Sequence, residues 1–212
     1  YLDSLGKFGI KLGMERIEGL LRELGNPEQK LKTVHVTGTN GKGSVTSMIT
    51  NILLAANLKV GKFTSPHLVK YNERINLNGK DISDEDFAMA ITAVKVAADS
   101  VVKKGVCEQP TQFEILTAAA FLYFYLQKVD YAVIEVGMGG LWDSTNVITP
   151  VVSVITNVAL DHTDRCGKTL ERIAMQKAGI IKEKVPLVTA AEGNEALGPI
   201  VSLAMFKEAP VY

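Results

Sequence analysis

Residues 38–44, Gly-Thr-Asn-Gly-Lys-Gly-Ser, place glycines at 38, 41 and 43 around a single lysine, Lys42. Such a turn can lay successive backbone N–H groups against an anion such as phosphate, because glycine brings no Cβ to obstruct it. Lys42 adds a mobile positive charge. In the G-x-x-x-x-G-K-[ST] form of a phosphate loop the first glycine would stand at Val36 and the metal-binding hydroxyl at Gly43. The hydroxyl is thus displaced to Ser44 or missing, and metal ligands have to come from elsewhere.

Other residues suit the same chemistry. Glu135 closes an otherwise apolar run, Tyr-Ala-Val-Ile, and precedes Gly137-Met138-Gly139-Gly140. A buried carboxylate needs a partner; beside a phosphate loop that is a nucleotide-bound Mg²⁺, and a nearby lysine is the alternative. Asp161-His162-Thr163 falls beyond another apolar run, where spacing alone favours a structural histidine over a ligand. His35 lies within a strand and reads as packed there, while His67 is open to either reading. Lys177 sits in an apolar helical stretch, where desolvation would favour the neutral, reactive amine. A snorkelling or ion-paired lysine is the alternative.

The elements that must position these groups follow from periodicity. Thr33–Val36 reads as a buried strand feeding the glycine turn. Val45, Met48, Ile49, Ile52, Leu53 and Ala56 form an apolar helical stripe after it. Helices are predicted over 14–25, 83–103, 110–127, 169–182 and 195–206. Strands are predicted over 58–63, 130–136, 151–156 and 187–189, with 64–80 a polar functional loop at a strand's carboxyl end. Strands alternating with helices predict an α/β, P-loop-type fold: a mostly parallel, doubly wound sheet with helices on both faces.

The 212 residues suffice for one such domain, and 23 basic against 23 acidic side chains leave no field to recruit nucleic acid. No apolar run reaches membrane-spanning length, and no signal peptide is visible. Cys107 and Cys166 match no metal or redox spacing. A cytoplasmic monomer acting on small molecules, without nucleic acid or membrane, is expected.

The blocks 38–44, Ser65-Pro-His-Leu68, Asn72-Glu-Arg-Ile75, 113–121, Glu135–Gly140, Asp143-Ser-Thr-Asn146, 156–163 and Lys177–Lys182 together resemble the folylpolyglutamate synthase / dihydrofolate synthase family of the ATP-dependent Mur ligase superfamily. The resemblance implies that Gly38, Thr39, Asn40, Gly41, Lys42, Gly43 and Ser44 hold the ATP phosphates. It implies Ser65, Glu135 and His162 as magnesium ligands, and Lys177 as a carbamylated lysine that helps bind a second metal. Lys42, Lys177 and His162 would be the catalytic set. Thr111, Phe113, Asp143 and Ser144 would line a pterin pocket closed by the 65–75 loop. The implied reaction is ATP-dependent addition of L-glutamate to dihydropteroate or to a folate's glutamate tail, through an acyl phosphate.

This chain departs from the family at Leu141, Gln112, Gln176 and Cys166, where the family usually carries Arg, Glu, Glu and Leu. Family members also continue into a second, Rossmann-like domain with an Asp-Gly-Ala-His-Asn segment that residues 1–212 lack. The chain therefore reads as the ATP-binding domain of a longer enzyme, with little or no ligase activity alone. The competing readings are a peptidoglycan-precursor ligase, and a nucleotide-binding switch or module without turnover. The 65–68 and 72–75 blocks argue against the first, and the missing guanine-reading Asn-Lys-x-Asp pattern against a GTPase switch.

Overall fold

A computed structural model describes residues 1–6, 13–161 and 167–212. Two helices, α1 (Leu2–Leu5) and α2 (Glu15–Glu23), precede strand β1 (Thr33–Thr37), and α3 (Lys42–Ala55) follows the glycine turn. Next come β2 (Val60–Phe63), β3 (Ile75–Leu77), β4 (Lys80–Asp81), α4 (Asp84–Lys103) and α5 (Gln112–Leu126). The chain then runs through β5 (Tyr131–Glu135), β6 (Val152–Ile155), α6 (Leu170–Ala178), β7 (Leu187–Thr189) and α7 (Asn194–Phe206). The strands form one seven-stranded sheet in the order β4-β3-β2-β5-β1-β6-β7. It is parallel from β2 to β7, with β3 and β4 antiparallel at one edge.

Alternation along the strands sends side chains to two differently covered faces. Val34, Val36, Val60, Val133 and Val154 cluster with Val45, Ile49 and Leu53 of α3. On the other face Phe63, Ala132 and Ile134 join a core built from α2, α4 and α5. That core meets the sheet closely at Gly61, where a Cβ would lie 2.5 Å from the Phe124 ring. Ile155 and Leu187 pack instead with α6 and α7. The predicted fold, α/β with a mostly parallel sheet and helices on both faces, is the one observed.

Three local expectations need correction. The stretch 64–80 is not a loop throughout, because β3 and β4 form a hairpin across Asn78-Gly79. Both turn residues take positive φ (51° and 81°), the geometry that Asn-Gly favours in tight hairpins. Asn78 Oδ1 also accepts the Val60 N–H at 2.8 Å. On α3 the apolar stripe divides: Val45, Ile49 and Leu53 face the sheet, whereas Met48 and Ile52 are 62% and 69% exposed. Thr46 and Thr50 are buried in their place, the Thr50 hydroxyl donating to the Thr46 carbonyl at 2.8 Å. Finally, α6 stops at Ala178, where the ladder gives way to turn bonds from the Ile180 and Ile181 N–H groups to the Lys177 and Ala178 carbonyls, and its cap Gly179 passes so close to Leu141 that a Cβ would lie 2.5 Å from Leu141 Cα.

The Gly61 contact generates a stability prediction. Gly61→Ala drives a methyl into the Phe124 ring and should cost about 1–3 kcal/mol in urea unfolding. Phe124→Leu in the same chain should recover part of that loss.

Candidate active site

The glycine turn is shaped by its neighbours before any ligand is considered. Gly38 has φ 153°, and a Cβ there would run into the Thr156 hydroxyl. Gly41, at φ 78°, caps the N-terminus of α3. The segment after β6 latches onto the turn. Asn40 N–H donates to Asn157 Oδ1 at 2.9 Å, Thr39 N–H to the Asn157 carbonyl at 3.0 Å, and the Thr156 hydroxyl to the Asn40 carbonyl at 2.6 Å. Thr39 Oγ1 also accepts the Ala159 N–H at 3.0 Å. Lys42 folds back, its ammonium donating to the carbonyls of Gly38 and Thr39 at 3.0 and 3.1 Å.

Glu135 stands against this turn. A Cβ on Gly43 would lie 3.6 Å from both of its carboxylate oxygens, so the acid faces the first turn of α3. Register explains the placement, because Glu135 is the Cα partner of Val36 while Ile134 pairs with Phe63. The chain leaving β2 thus brings Ser65 beside it, and Ser65 N–H donates to Glu135 Oε2 at 3.2 Å. Burial raises the Glu135 pKa above the ordinary carboxylate value, while the Ser65 N–H and the charges of Lys42 and Lys62 pull it down and Asp143 adds to the rise. A buried carboxylate beside a hydroxyl-bearing residue offers the oxygen ligands that a hard divalent cation takes, while the helix N-terminus next to it favours an anion such as phosphate. Among the described residues, no three His, Cys, Asp or Glu side chains make a metal-holding group by themselves. His162, the third expected ligand, and Cys166 lie outside the described residues.

Of the expected pterin-pocket residues, Phe113 and Asp143 meet at Gly137, whereas Thr111 and Ser144 are held by α5 residues, Glu114 and Thr117. Thr111 caps α5 reciprocally with Glu114, whose carboxylate accepts the Thr111 N–H at 2.6 Å. Phe113 lies 5.9 Å from Phe63, centroid to centroid, and a Cβ on Gly137 would lie 2.5 Å from its ring. That same Cβ would be 3.0 Å from Asp143 Oδ2, so Phe113 and Asp143 share one wall. The Asp143 carboxylate accepts the N–H groups of Met138 (2.9 Å) and Thr145 (3.0 Å) and the Thr145 hydroxyl (2.5 Å). Burial pushes its pKa up while those bonds pull it down. Ser144 shares a hydrogen bond with Thr117, 3.1 Å between hydroxyl oxygens.

Lys177 is buried near the C-terminus of α6. Its carbonyl and that of Gln176 crowd Gly140, where a Cβ would lie 3.1 and 2.8 Å away. Leu141 N–H donates to the Gln176 carbonyl at 2.8 Å. The turn after Glu135 therefore rests on the helix end that carries Lys177.

Sequence reasoning passed over the groups that hold this framework. Arg16 on α2 makes a buried fork to Glu114, Nε to both carboxylate oxygens at 3.1 Å and a terminal nitrogen to Oε1 at 3.1 Å. The amphipathic pattern of α2 made Arg16 look solvent-facing. Glu73 collects the N–H groups of Leu68, Val69 and Lys70 at 2.7, 2.8 and 2.6 Å, so one carboxylate shapes the loop after Ser65. Burial and the charge of Lys182 hold the His35 imidazole neutral, with its pKa lowered to about 3.

Strand, glycine turn, helix and opposing carboxylate define an α/β domain of P-loop type. Residues 36–194 match the Mur ligase middle domain, and the chain belongs to that family. Within it the likeness narrows to the folate-directed members. The chain is 47% identical over 192 residues to the dihydrofolate synthase/folylpolyglutamate synthase of Bacillus subtilis, covering 90% of this chain and 44% of that protein. It is 46% identical over 189 residues to the folylpolyglutamate synthase of Lacticaseibacillus casei, covering 89% and 44%. The crystal structure of folylpolyglutamate synthase from Thermotoga maritima superposes with a TM-score of 0.90 at 43% identity, over all of this chain and 48% of that one. A structure described as an FPGS-AMPPCP-folate complex superposes at 0.91 with 40% identity, over 99% and 53%. The chain thus spans about half the length of these relatives.

Two predictions follow from the buried charges. Arg16→Met strands the Glu114 carboxylate and should cost about 3–5 kcal/mol in urea unfolding, whereas adding Glu114→Leu should restore much of it. His35 takes its proton near 6.5 when unfolded and near 3 when folded. The unfolded chain therefore holds the extra proton between those values, and stability falls as pH drops through that window. In His35→Leu the loss of melting temperature between about pH 7 and about pH 4.5 should shrink.

Proposed function

We propose that this chain is the ATP-binding part of an ATP-dependent ligase that joins L-glutamate to dihydropteroate or to the glutamate tail of folates. The observation that carries the reading is the convergence of Lys42, Gly43, Ser65 and Glu135 at one turn, with Phe113 and Asp143 across the next. Its relatives named as folylpolyglutamate and dihydrofolate synthases, and the likeness to complexes with AMPPCP and folate, support the same reading.

A carboxylate is a poor electrophile, and phosphorylation turns it into an acyl phosphate that the glutamate amine can attack with loss of phosphate. Little covalent work falls to the protein beyond positioning and neutralising charge. The turn 38–44 offers its backbone N–H groups and the α3 N-terminus to the ATP phosphates. Lys42 exchanges its bonds to Gly38 and Thr39 for the transferred phosphate. The Ser65 hydroxyl, Glu135 and His162 would hold Mg²⁺, which supplies charge neutralisation during phosphoryl transfer. Lys177 would be carbamylated and hold a second metal; only a neutral amine adds CO₂, and burial favours that form. Thr111, Phe113, Asp143 and Ser144 would hold the pterin.

Residues 1–212 are read as one domain that needs the remainder of the enzyme for ligation. The enzyme is read as a cytoplasmic monomer with small-molecule substrates only. Among the described residues no helix is long and apolar enough to cross a membrane.

The test is glutamate-dependent ADP release by the intact enzyme, with dihydropteroate and tetrahydrofolate offered separately. Lys42→Ala and Glu135→Ala should each reduce turnover by at least about a hundredfold. Near-normal turnover in either would overturn the assignment. Residues 1–212 alone should bind AMPPCP, and with ATP, a folate and glutamate supplied they should release little or no ADP.

A further inference from the structure

His35 is an odd residue for its place. It lies in the middle of β1 between Val34 and Val36, fully buried, with Nε2 2.9 Å from the Thr145 hydroxyl oxygen. Its other nitrogen, Nδ1, has no hydrogen-bond partner among the described residues. An unpaired buried polar atom carries an uncompensated desolvation cost, which a valine like its neighbours would avoid. A group kept at that cost calls for an explanation.

The bonding around Thr145 supplies one. The hydroxyl carries a single proton, and its oxygen lies 2.5 Å from Asp143 Oδ1. Asp143 Oδ1 also accepts the Thr145 N–H, and Oδ2 the Met138 N–H. With its proton given to the carboxylate, Thr145 Oγ1 can only accept from the imidazole. His35 must then carry its hydrogen on Nε2 and leave Nδ1 bare, which is the atom found without a partner. Lys182, in the segment between α6 and β7, reaches the same turn, its ammonium donating to the Asn146 carbonyl at 2.9 Å. Its positive charge disfavours a second proton on the ring.

We propose that His35 is a positioning residue: as the Nε2–H tautomer it aims the Thr145 hydroxyl at Asp143, and so fixes the wall that Asp143 and Phe113 present to the substrate. The chain runs from the strand that feeds the phosphate turn to the pocket beyond it. The proposal rests on the reading of that pocket as the site for a pterin-bearing acid.

The experiment combines spectroscopy with kinetics on the intact enzyme. In protein labelled with ¹⁵N at histidine, one ring should show a pyridine-type Nδ1 and a pyrrole-type Nε2, unchanged from about pH 5 to about pH 9. That signal should vanish in His35→Gln. KM for dihydropteroate or tetrahydrofolate should rise about tenfold in His35→Leu and Thr145→Val, with KM for ATP unchanged, a loss of about 1.4 kcal/mol. His35→Gln, which can offer an N–H near the Nε2 position, should return the pterin KM to within about twofold of the parent. A proton on Nδ1 overturns the proposal. So does an equal rise in both KM values that glutamine does not relieve. If the enzyme turns over neither substrate, the proposed function fails, while the nitrogen spectrum still decides the tautomer.

Discussion

A carboxylate buried at the end of a strand governs the arrangement. Glu135 finishes an apolar run, and burial works against its charge. What favours that charge comes from around the glycine turn and β2: the Ser65 N–H and the ammonium groups of Lys42 and Lys62. Parallel pairing makes the meeting unavoidable. With β5 between β2 and β1, the chains leaving those strands pass on either side of Glu135. The sheet order thus assembles from distant segments what the nonstandard glycine turn lacks in its own residues.

The turn that follows, 137–140, joins the two halves of the site. Thr37, at the end of β1, donates its hydroxyl proton to the Gly139 carbonyl at 2.7 Å. Asp143 holds the Met138 N–H, the Phe113 ring covers Gly137, and the end of α6 presses on Gly140. Side chains at Gly137 and Gly140 would break these approaches. One short backbone segment thus touches both the end of β1 that feeds the glycine turn and the Phe113 and Asp143 side chains.

Most of this architecture was legible in the sequence, for reasons that differ by element. The strand, glycine turn and helix around Lys42 were readable because β-branched residues, glycines and apolar spacing all agree there. The helix starts expected at 83 and 110 were readable too, and there the Ser83 and Thr111 hydroxyls accept the N–H three residues on. The β3–β4 hairpin was overlooked because polarity in 64–80 outweighed the Asn78-Gly79 signal. The exposure of Met48 and Ile52 could not be read from composition, since only packing decides which side of an apolar helix meets a sheet. The buried fork of Arg16 and Glu114 escaped for a similar reason: charge at a helical position is ordinarily solvated, and its partner lay 98 residues away. His35 was rightly read as packed, yet spacing says nothing of the hydroxyl beneath it.

The folded-back lysine has a consequence for energetics. Before any nucleotide arrives, the Lys42 ammonium already satisfies the carbonyls of Gly38 and Thr39. The loop's strongest cation is thus spent internally, like a cork in its own bottle. An anion that draws Lys42 to itself would have to swap partners rather than fill an open valence, so the free energy released would measure only how much better the newcomer is than the loop itself.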